Sequence, residues 1–177
     1  MSIRFQISTP RLILLGADPA TLHADQEGRE QLAAAAGAAV PANWPPEHHD
    51  NNVIDWVLSS LEAIPPGAPW RFYYMVLTEP RTLIGTCGFK QPPGPDGCVE
   101  IGYSVLEQFQ LRGLATEAAQ ALLGVAFDAG ASEVAAETFP SLPASIRVME
   151  KCGMTLTGEG SEEGTLRYSR RRLNTGS

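Results

Sequence analysis

A chain of 177 residues with 44% hydrophobic side chains is long enough to bury a sizeable core, and disorder is expected only at its ends, as in the small polar tail at 173–177. The formal net charge of −7 speaks against a broad basic face for nucleic acid, and no run of about 18 apolar residues exists to cross a membrane as a helix. Three widely spaced cysteines, Cys87, Cys98 and Cys152, form no C-x-x-C pair; they fit a reducing, cytoplasmic setting as small core residues. The first fifteen residues have no apolar stretch of signal-peptide length and read as mature protein. An acidic balance suits cationic partners such as amines, although solubility alone explains it.

Residues 8–16 read as a first strand. Asp18 and Pro19 follow as an N-cap and first helical position, opening a helix that Gly28 weakens. Residues 40–50, VPANWPPEHHD, are a proline-broken loop. After Asp50, the residues Val53, Trp56, Val57 and Leu61 recur at helical spacing. The aromatic run at 70–78 and the segment 81–90 predict a hairpin, closed on its far side by the turn chemistry of QPPGPDG. Residues 98–106 are the fourth predicted strand: Val99, Ile101, Tyr103 and Val105 share one face, Glu100, Gly102 and Ser104 the other.

A helix is expected from Gly113 to about Asp128, with an apolar stripe of Leu114, Ala118, Leu122 and Val125 and Gly130 as its C-cap. Residues 132–139 are the fifth strand. Pro143 opens a short helix through Cys152, stopped by Gly153, and two last strands follow. The order is β-α-α-β-β-β-α-β-α-β-β. An antiparallel meander leads into a βαβ crossover, so the fold class is α+β, a mixed α/β sheet domain spanning residues 1–177.

The chemistry concentrates in QFQLRGLATEA, residues 108–118. The first turn of a helix offers free backbone N–H groups and a partial positive charge, and together these bind phosphate. Gly113 would let the backbone approach such a ligand, and Arg112 would add charge; Gly113 equally serves to ease a turn.

With Gln110, Gly113 and Ala115 at the spacing Gln/Arg-x-x-Gly-x-Gly/Ala, after a strand ending at Val105, the stretch resembles the signature of the GCN5-related N-acetyltransferases (GNAT). TPRLIL at 9–14, EIGYSVL, ATEA and ASIRVMEKCGM at 144–154 resemble the RimJ/RimL-type branch in the right order. The resemblance implies a mostly antiparallel twisted sheet with helices on both faces, and predicted strands four and five splayed to admit coenzyme A. It implies acetyl-CoA as co-substrate and acetyl transfer to a primary amine, on a protein N-terminus or a small molecule, by direct attack in a ternary complex. It implies Val105 pairing with pantetheine, an oxyanion donor near Tyr103 to Val105, and Gln110, Arg112, Gly113, Leu114, Ala115 and Thr116 around the phosphates. No metal, no membrane and no nucleic acid enter this reading. Dimers are common in the family, and the C-terminal strands could pair with a second chain.

Two positions depart from the family pattern. Leu111 stands where a second glycine is common, and Leu142 replaces an asparagine expected near the coenzyme A arm. The second departure motivates an alternative, a degenerate coenzyme A-binding module without efficient turnover. A dinucleotide oxidoreductase lacks its Gly-x-Gly-x-x-Gly after a strand.

Amine acetylation needs a base, because an ammonium has no lone pair, and a proton for the leaving thiolate. Glu100 is the first candidate base and Glu137 the second, each equally an ordinary polar-face residue; Ser145 could donate to the thiolate or serve as a first-turn hydroxyl. His48 and His49 in HHD lack the spacing and partners of a metal site; the loop either lines the acceptor pocket or is solvated, the solvated loop being the default. The glutamates of GEGSEEG would repel phosphate, so that stretch is read as a hairpin turn.

Overall fold

In the computed structural model, which describes residues 5–174, the first predicted strand is two. β1 (Gln6–Ser8) and β2 (Leu12–Gly16) pair antiparallel, Ser8 opposite Ile13. The break falls at Thr9-Pro10-Arg11. Pro10 has no N–H to give a ladder, and Thr9 closes the turn by donating its N–H to Leu12 O at 2.8 Å and accepting the Leu12 N–H on its hydroxyl at 2.9 Å.

The first predicted helix is also two. α1 (Pro19–Glu27) starts on Asp18, whose carboxylate accepts the Thr21 N–H at 2.7 Å, and it ends at Gly28. Gly28 has φ 146°, open to glycine alone, and from there α2 (Arg29–Ala36) sets off in a new direction. α3 (Asn51–Ser60) is capped by Asp50 and buries Ile54 and Val57. Trp56, placed on the apolar stripe by its spacing, is 48% exposed. The stripe turns on Ile54 instead, and Trp56 is left for the cavity described below.

The hairpin forms as β3 (Phe72–Thr78) and β4 (Arg81–Phe89), and β5 (Cys98–Val105) lies antiparallel to β4. α4 (Leu114–Asp128) buries Leu114, Ala118, Ala119, Leu122, Leu123 and Ala126; Val125 is half-buried, so the true stripe is rotated toward Ala126. Its end is a Schellman turn, with Gly130 at φ 97° and the Ala131 N–H on Ala126 O at 2.9 Å. β6 (Glu133–Thr138), α5 (Pro143–Lys151), β7 (Thr155–Glu159) and β8 (Leu166–Arg171) complete the order. Gly153 ends α5 as expected, at φ 77° with the Met154 N–H on Met149 O.

All eight strands form one sheet, β1-β2-β3-β4-β5-β6-β8-β7, in which β5–β6 is the one parallel pair of these eight strands. Strand alternation sorts the side chains to two cores. Leu14, Tyr73, Met75 and Ile84 meet α4 and α5 on one face, while Leu15, Tyr74, Val76 and Leu83 meet α1, α2 and α3 on the other. The expected mixed sheet with helices on both faces is therefore present. The expected splay is present as well: β5 and β6 pair only from Cys98 to Glu100 against Glu133 to Ala135, while β6 stays with β8 as far as Thr138. Beyond Glu100 and Ala135 the sheet has a slit.

Candidate active site

The slit has backbone groups on its β5 wall. The Glu100 carbonyl accepts from Lys90 N–H and the Leu106 N–H donates to Ile84 O, so both face β4. By alternation along the strand, the N–H and C=O of Ile101, Tyr103 and Val105 turn to the β6 side. Past the strand end, a one-turn segment leads to Gln110, whose side-chain amide donates to the Val105 carbonyl at 2.9 Å. Gln110 is thus a brace between the loop and the strand end.

Leu111 takes φ 61° and is 89% exposed; Gly113 takes φ 76°. The bulky residue at the family's glycine position keeps the left-handed backbone and turns its side chain to solvent. Gly113 is the N-cap of α4, and no side chain caps that end, so the first-turn N–H groups of Leu114, Ala115 and Thr116 are presented without a capping oxygen. Arg112 lies over the Phe109 ring at 5.5 Å, and Arg11 ties the corner by donating to the Arg112 carbonyl at 2.9 Å and to Glu117 at 3.0 Å. The left-handed glycine makes the turn and leaves the helix end uncapped, so the two readings of Gly113 are compatible.

Where the strands part, a cavity of about 540 Å³ opens. Gly102, Tyr103 and Ser104 of β5 line one wall, and Glu137, Thr138 and Phe139 the other. Its lining draws on both helical layers, with Leu142 and Ser145 from α5 and its approach, and Val53 and Trp56 from α3. Tyr103 and Ser145, named separately by the sequence, meet here: the Tyr103 hydroxyl donates to Ser145 O at 3.0 Å and lies 3.2 Å from Ser145 Oγ. Burial pushes the Tyr103 phenol up to about 12, against a smaller pull from Ser145, so it keeps its proton at neutral pH. Ser145 does not cap α5. The N-cap is Leu142, with no side-chain cap and 44% exposure into the cavity lining.

The carboxylates are less free than their sequence positions allowed. Glu100 is held by Lys90, has Arg167 at 4.0 Å, and is not part of the cavity lining. Glu137 does line it, with Arg167 at 3.0 Å on one oxygen and the Ser161 N–H and hydroxyl at 3.0 and 2.8 Å on the other. Burial pulls its carboxyl upward, but the bonds from Ser161 and Arg167 outweigh that and hold it below the ordinary range. The three cysteines are free; burial pushes the Cys87 thiol, which borders the cavity, well up.

The proline-broken loop is no solvated strap. Ser104 Oγ donates to Glu47 O at 2.8 Å, and Asn43 and Gln108 exchange two amide bonds at 2.8 Å, pinning it over the end of β5. His48 is exposed, but the His49 side chain is 2% exposed and borders the cavity. Its Nε2 meets Asp25 Oδ2 at 2.6 Å, and Asp25 also accepts from Trp44 Nε1 at 2.9 Å and the Tyr74 hydroxyl at 2.8 Å. Burial would raise the Asp25 carboxyl; the hydrogen bonds it accepts from His49, Trp44 and Tyr74 together hold it below its ordinary value. Asp25, Trp44 and Tyr74 are absent from the candidates that the sequence supplies. The signal was present for Asp25, which follows the buried Thr21 and Leu22 at helical spacing and so puts an acid on the inward face of α1.

The family model for an acetyltransferase (GNAT) domain matches residues 16–155. No curated protein matches the chain. Among solved structures of similar fold are the ribosomal-protein-S5-alanine acetyltransferase of Vibrio fischeri (16% identity, 98% of this chain and 100% of that one, TM-score 0.69) and the ribosomal L7/L12 α-N-protein acetyltransferase RimL with coenzyme A (18%, 94% and 98%, TM-score 0.68). The microcin C7 self-immunity acetyltransferase MccE, in complex with acetyl-CoA and AMP, is similar too (16%, 93% and 94%, TM-score 0.63).

Proposed function

We propose, from the premise that the chain belongs to the acetyltransferase (GNAT) family, that it moves an acetyl group from acetyl-CoA to a primary amine by direct attack in a ternary complex. One observation carries this reading: a cavity of about 540 Å³ opens at the slit between β5 and β6, and the chain runs from the end of β5 to the uncapped start of α4. The residues present fit acetyl-CoA. The N–H groups of Gly113, Leu114, Ala115 and Thr116, with Arg112 beside them, would hold the pyrophosphate; the edge groups of Tyr103 and Val105 would pair with the amide-bearing arm. The similar structures RimL and MccE, solved with coenzyme A and acetyl-CoA, support the same co-substrate.

Acetyl-CoA supplies an acyl group already activated as a thioester. This chain's residues supply the rest. A backbone N–H of β5 near Tyr103 stabilises the charge that develops on the carbonyl oxygen. The Tyr103 and Ser145 hydroxyls form a relay that holds a proton for the departing sulfur. Trp56, Phe139 and Leu142 are exposed large apolar residues that line this cavity, together with the carboxylates of Glu47 and Glu162. That combination favours an amine carried on an apolar body, either a small molecule or a protein N-terminus. The coenzyme A-binding module remains the second reading, favoured by Leu142 at the uncapped start of α5.

The test is free-thiol release from acetyl-CoA with phenethylamine, putrescine and a short peptide bearing a free N-terminus. Turnover, fastest with phenethylamine, supports the reading; tight coenzyme A binding with no turnover on any of them moves it to the binding module. Loss of about 100-fold in Glu100→Gln assigns the base to Glu100, whereas retained turnover places it elsewhere.

A further inference from the structure

His49 is the part of the cavity wall that the reading above leaves without a task, and Asp25 stands behind it. Asp25 accepts three hydrogen bonds, from Trp44, Tyr74 and His49, and so it is an ionised, acceptor-only carboxylate. That fixes the imidazole. Nε2 must carry the hydrogen that bonds Asp25, and in the neutral ring Nδ1 holds the lone pair. Phe72 stacks on the ring at 5.5 Å and 13°, and Trp44 and Tyr74 meet it edge-on at 5.7 and 6.1 Å, so the ring is clamped.

Nδ1 is buried and has no hydrogen-bond partner; it is the one side-chain polar atom of this kind among the described residues. Such atoms are rare in folded proteins because an unpaired buried lone pair is costly. The ring stands between two cavities. Its Nε2 edge is spent on Asp25, which borders a smaller one of about 200 Å³, and the residue also borders the large one that reaches Tyr103 and Ser145.

Other bases on that wall are poorer. Glu137 is tied to Arg167 and Ser161, Lys90 to Glu100, and Glu47 and His48 are open to solvent at the rim. We infer that His49, oriented by Asp25, is the group that takes the proton from the acceptor amine at Nδ1. This inference rests on the acetyl-transfer reading.

The step balances as follows. The acceptor arrives as an ammonium and gives one proton to His49 Nδ1, forming an imidazolium whose charge Asp25 offsets. The freed lone pair attacks the thioester carbonyl; the C–N bond forms as the C–S bond breaks, and the electron pair goes to sulfur. A second nitrogen proton reaches that sulfur through the Tyr103 and Ser145 hydroxyls, and the imidazolium later returns its proton to water. One ammonium and one acetyl-CoA become one acetamide, one free thiol of coenzyme A and one proton.

The charged and titratable groups around the ring are Asp25 on α1, Tyr74 on β3, Glu47, His48 and Asp50 in and after the loop, and Arg29 on α2 across the smaller cavity. The experiment measures thiol release with phenethylamine against pH for the wild type, His49→Ala and His49→Gln, with coenzyme A affinity by calorimetry. Gln keeps an N–H for Asp25 and roughly the ring's volume but has no basic nitrogen. The expected result is a kcat reduced about 100-fold or more in both variants. Coenzyme A affinity should stay within twofold, the acid limb of the wild-type profile should be absent from the variants, and added imidazole should partly rescue His49→Ala. Wild-type turnover with no acid limb, or variants within threefold of wild type, overturns the role of His49 while leaving acetyl transfer standing. A wild type that binds coenzyme A but acetylates none of the panel overturns both.

Discussion

The two sides of the candidate site are made of different material. Toward α4 the groups on offer are backbone: the N–H groups of an uncapped helix start and the free edge of β5. Toward α1 and α3 they are side chains, an acid that accepts three hydrogen bonds and an imidazole clamped by three rings. A backbone site depends on φ and ψ and is nearly indifferent to the side chains that hang from it, which is how Leu111 can stand at a left-handed position with its side chain in water. A side-chain site depends on which atoms are present, and the loss of one acceptor strands every donor that pointed at it.

Four substitutions at three positions sharpen that contrast. The largest effect is expected from Asp25→Ala, which leaves the Trp44 indole, the Tyr74 hydroxyl and His49 without their shared acceptor. We expect a loss of about 3–5 kcal/mol in denaturant unfolding, as for breaking other buried charged networks. The same pair has a pH signature. The folded-state value of Asp25 lies below the ordinary 3.8, so its contribution is fully present above that value and is lost as pH falls through the depressed one. Asp25→Asn should flatten the wild type's loss of stability below about pH 4; an unchanged acid-unfolding midpoint would show that Asp25 is not ionised in the folded protein.

Gly113→Val comes next. Its effect should fall on the donor end alone, since φ 76° strains a β-branched residue by about 1–3 kcal/mol. Coenzyme A affinity measured by calorimetry should drop at least tenfold, with circular dichroism unchanged; preserved affinity would remove the cradle. The smallest effect, and the only gain, is expected from Leu142→Asn. A side-chain oxygen at the uncapped start of α5 should add about 1 kcal/mol to unfolding stability, and no gain would mean that this N-cap geometry does not admit the bond.

The same contrast explains what could be read from the sequence. The backbone side is local: Val105, Gln110, Gly113 and Ala115 fall within eleven residues, and a helix start follows glycine by rules that need no tertiary partner. The side-chain side is assembled across the chain. Trp44 reaches Asp25 across 19 positions, His49 across 24 and Tyr74 across 49, so the sequence leaves HHD with a solvated loop as its default, and only the fold of α1 against β3 brings the partners of His49 together. Glu100 shows the reverse case. Strand alternation put it on the polar face, as it should, but could not show that Lys90 on the neighbouring strand would occupy it. The split of the first strand and of the first helix followed residues already visible, Pro10 and Gly28. Trp56 escaped because three neighbouring apolar residues compete for one inward face of α3, and only packing decides among them.

The slit between β5 and β6 has one more consequence, and it concerns neighbours rather than chemistry. From Ile101 to Val105 on one side and beyond Ala135 on the other, two strand edges face each other without a ladder between them. A slim chain carrying amides at regular intervals can satisfy such edges, and a coenzyme's pantetheine arm is one. So is an extended segment of another protein molecule. Filling the slit with the small ligand should therefore also act as protection, slowing self-association on heating in proportion to occupancy, and stripping it away should leave a sheet with an adhesive seam.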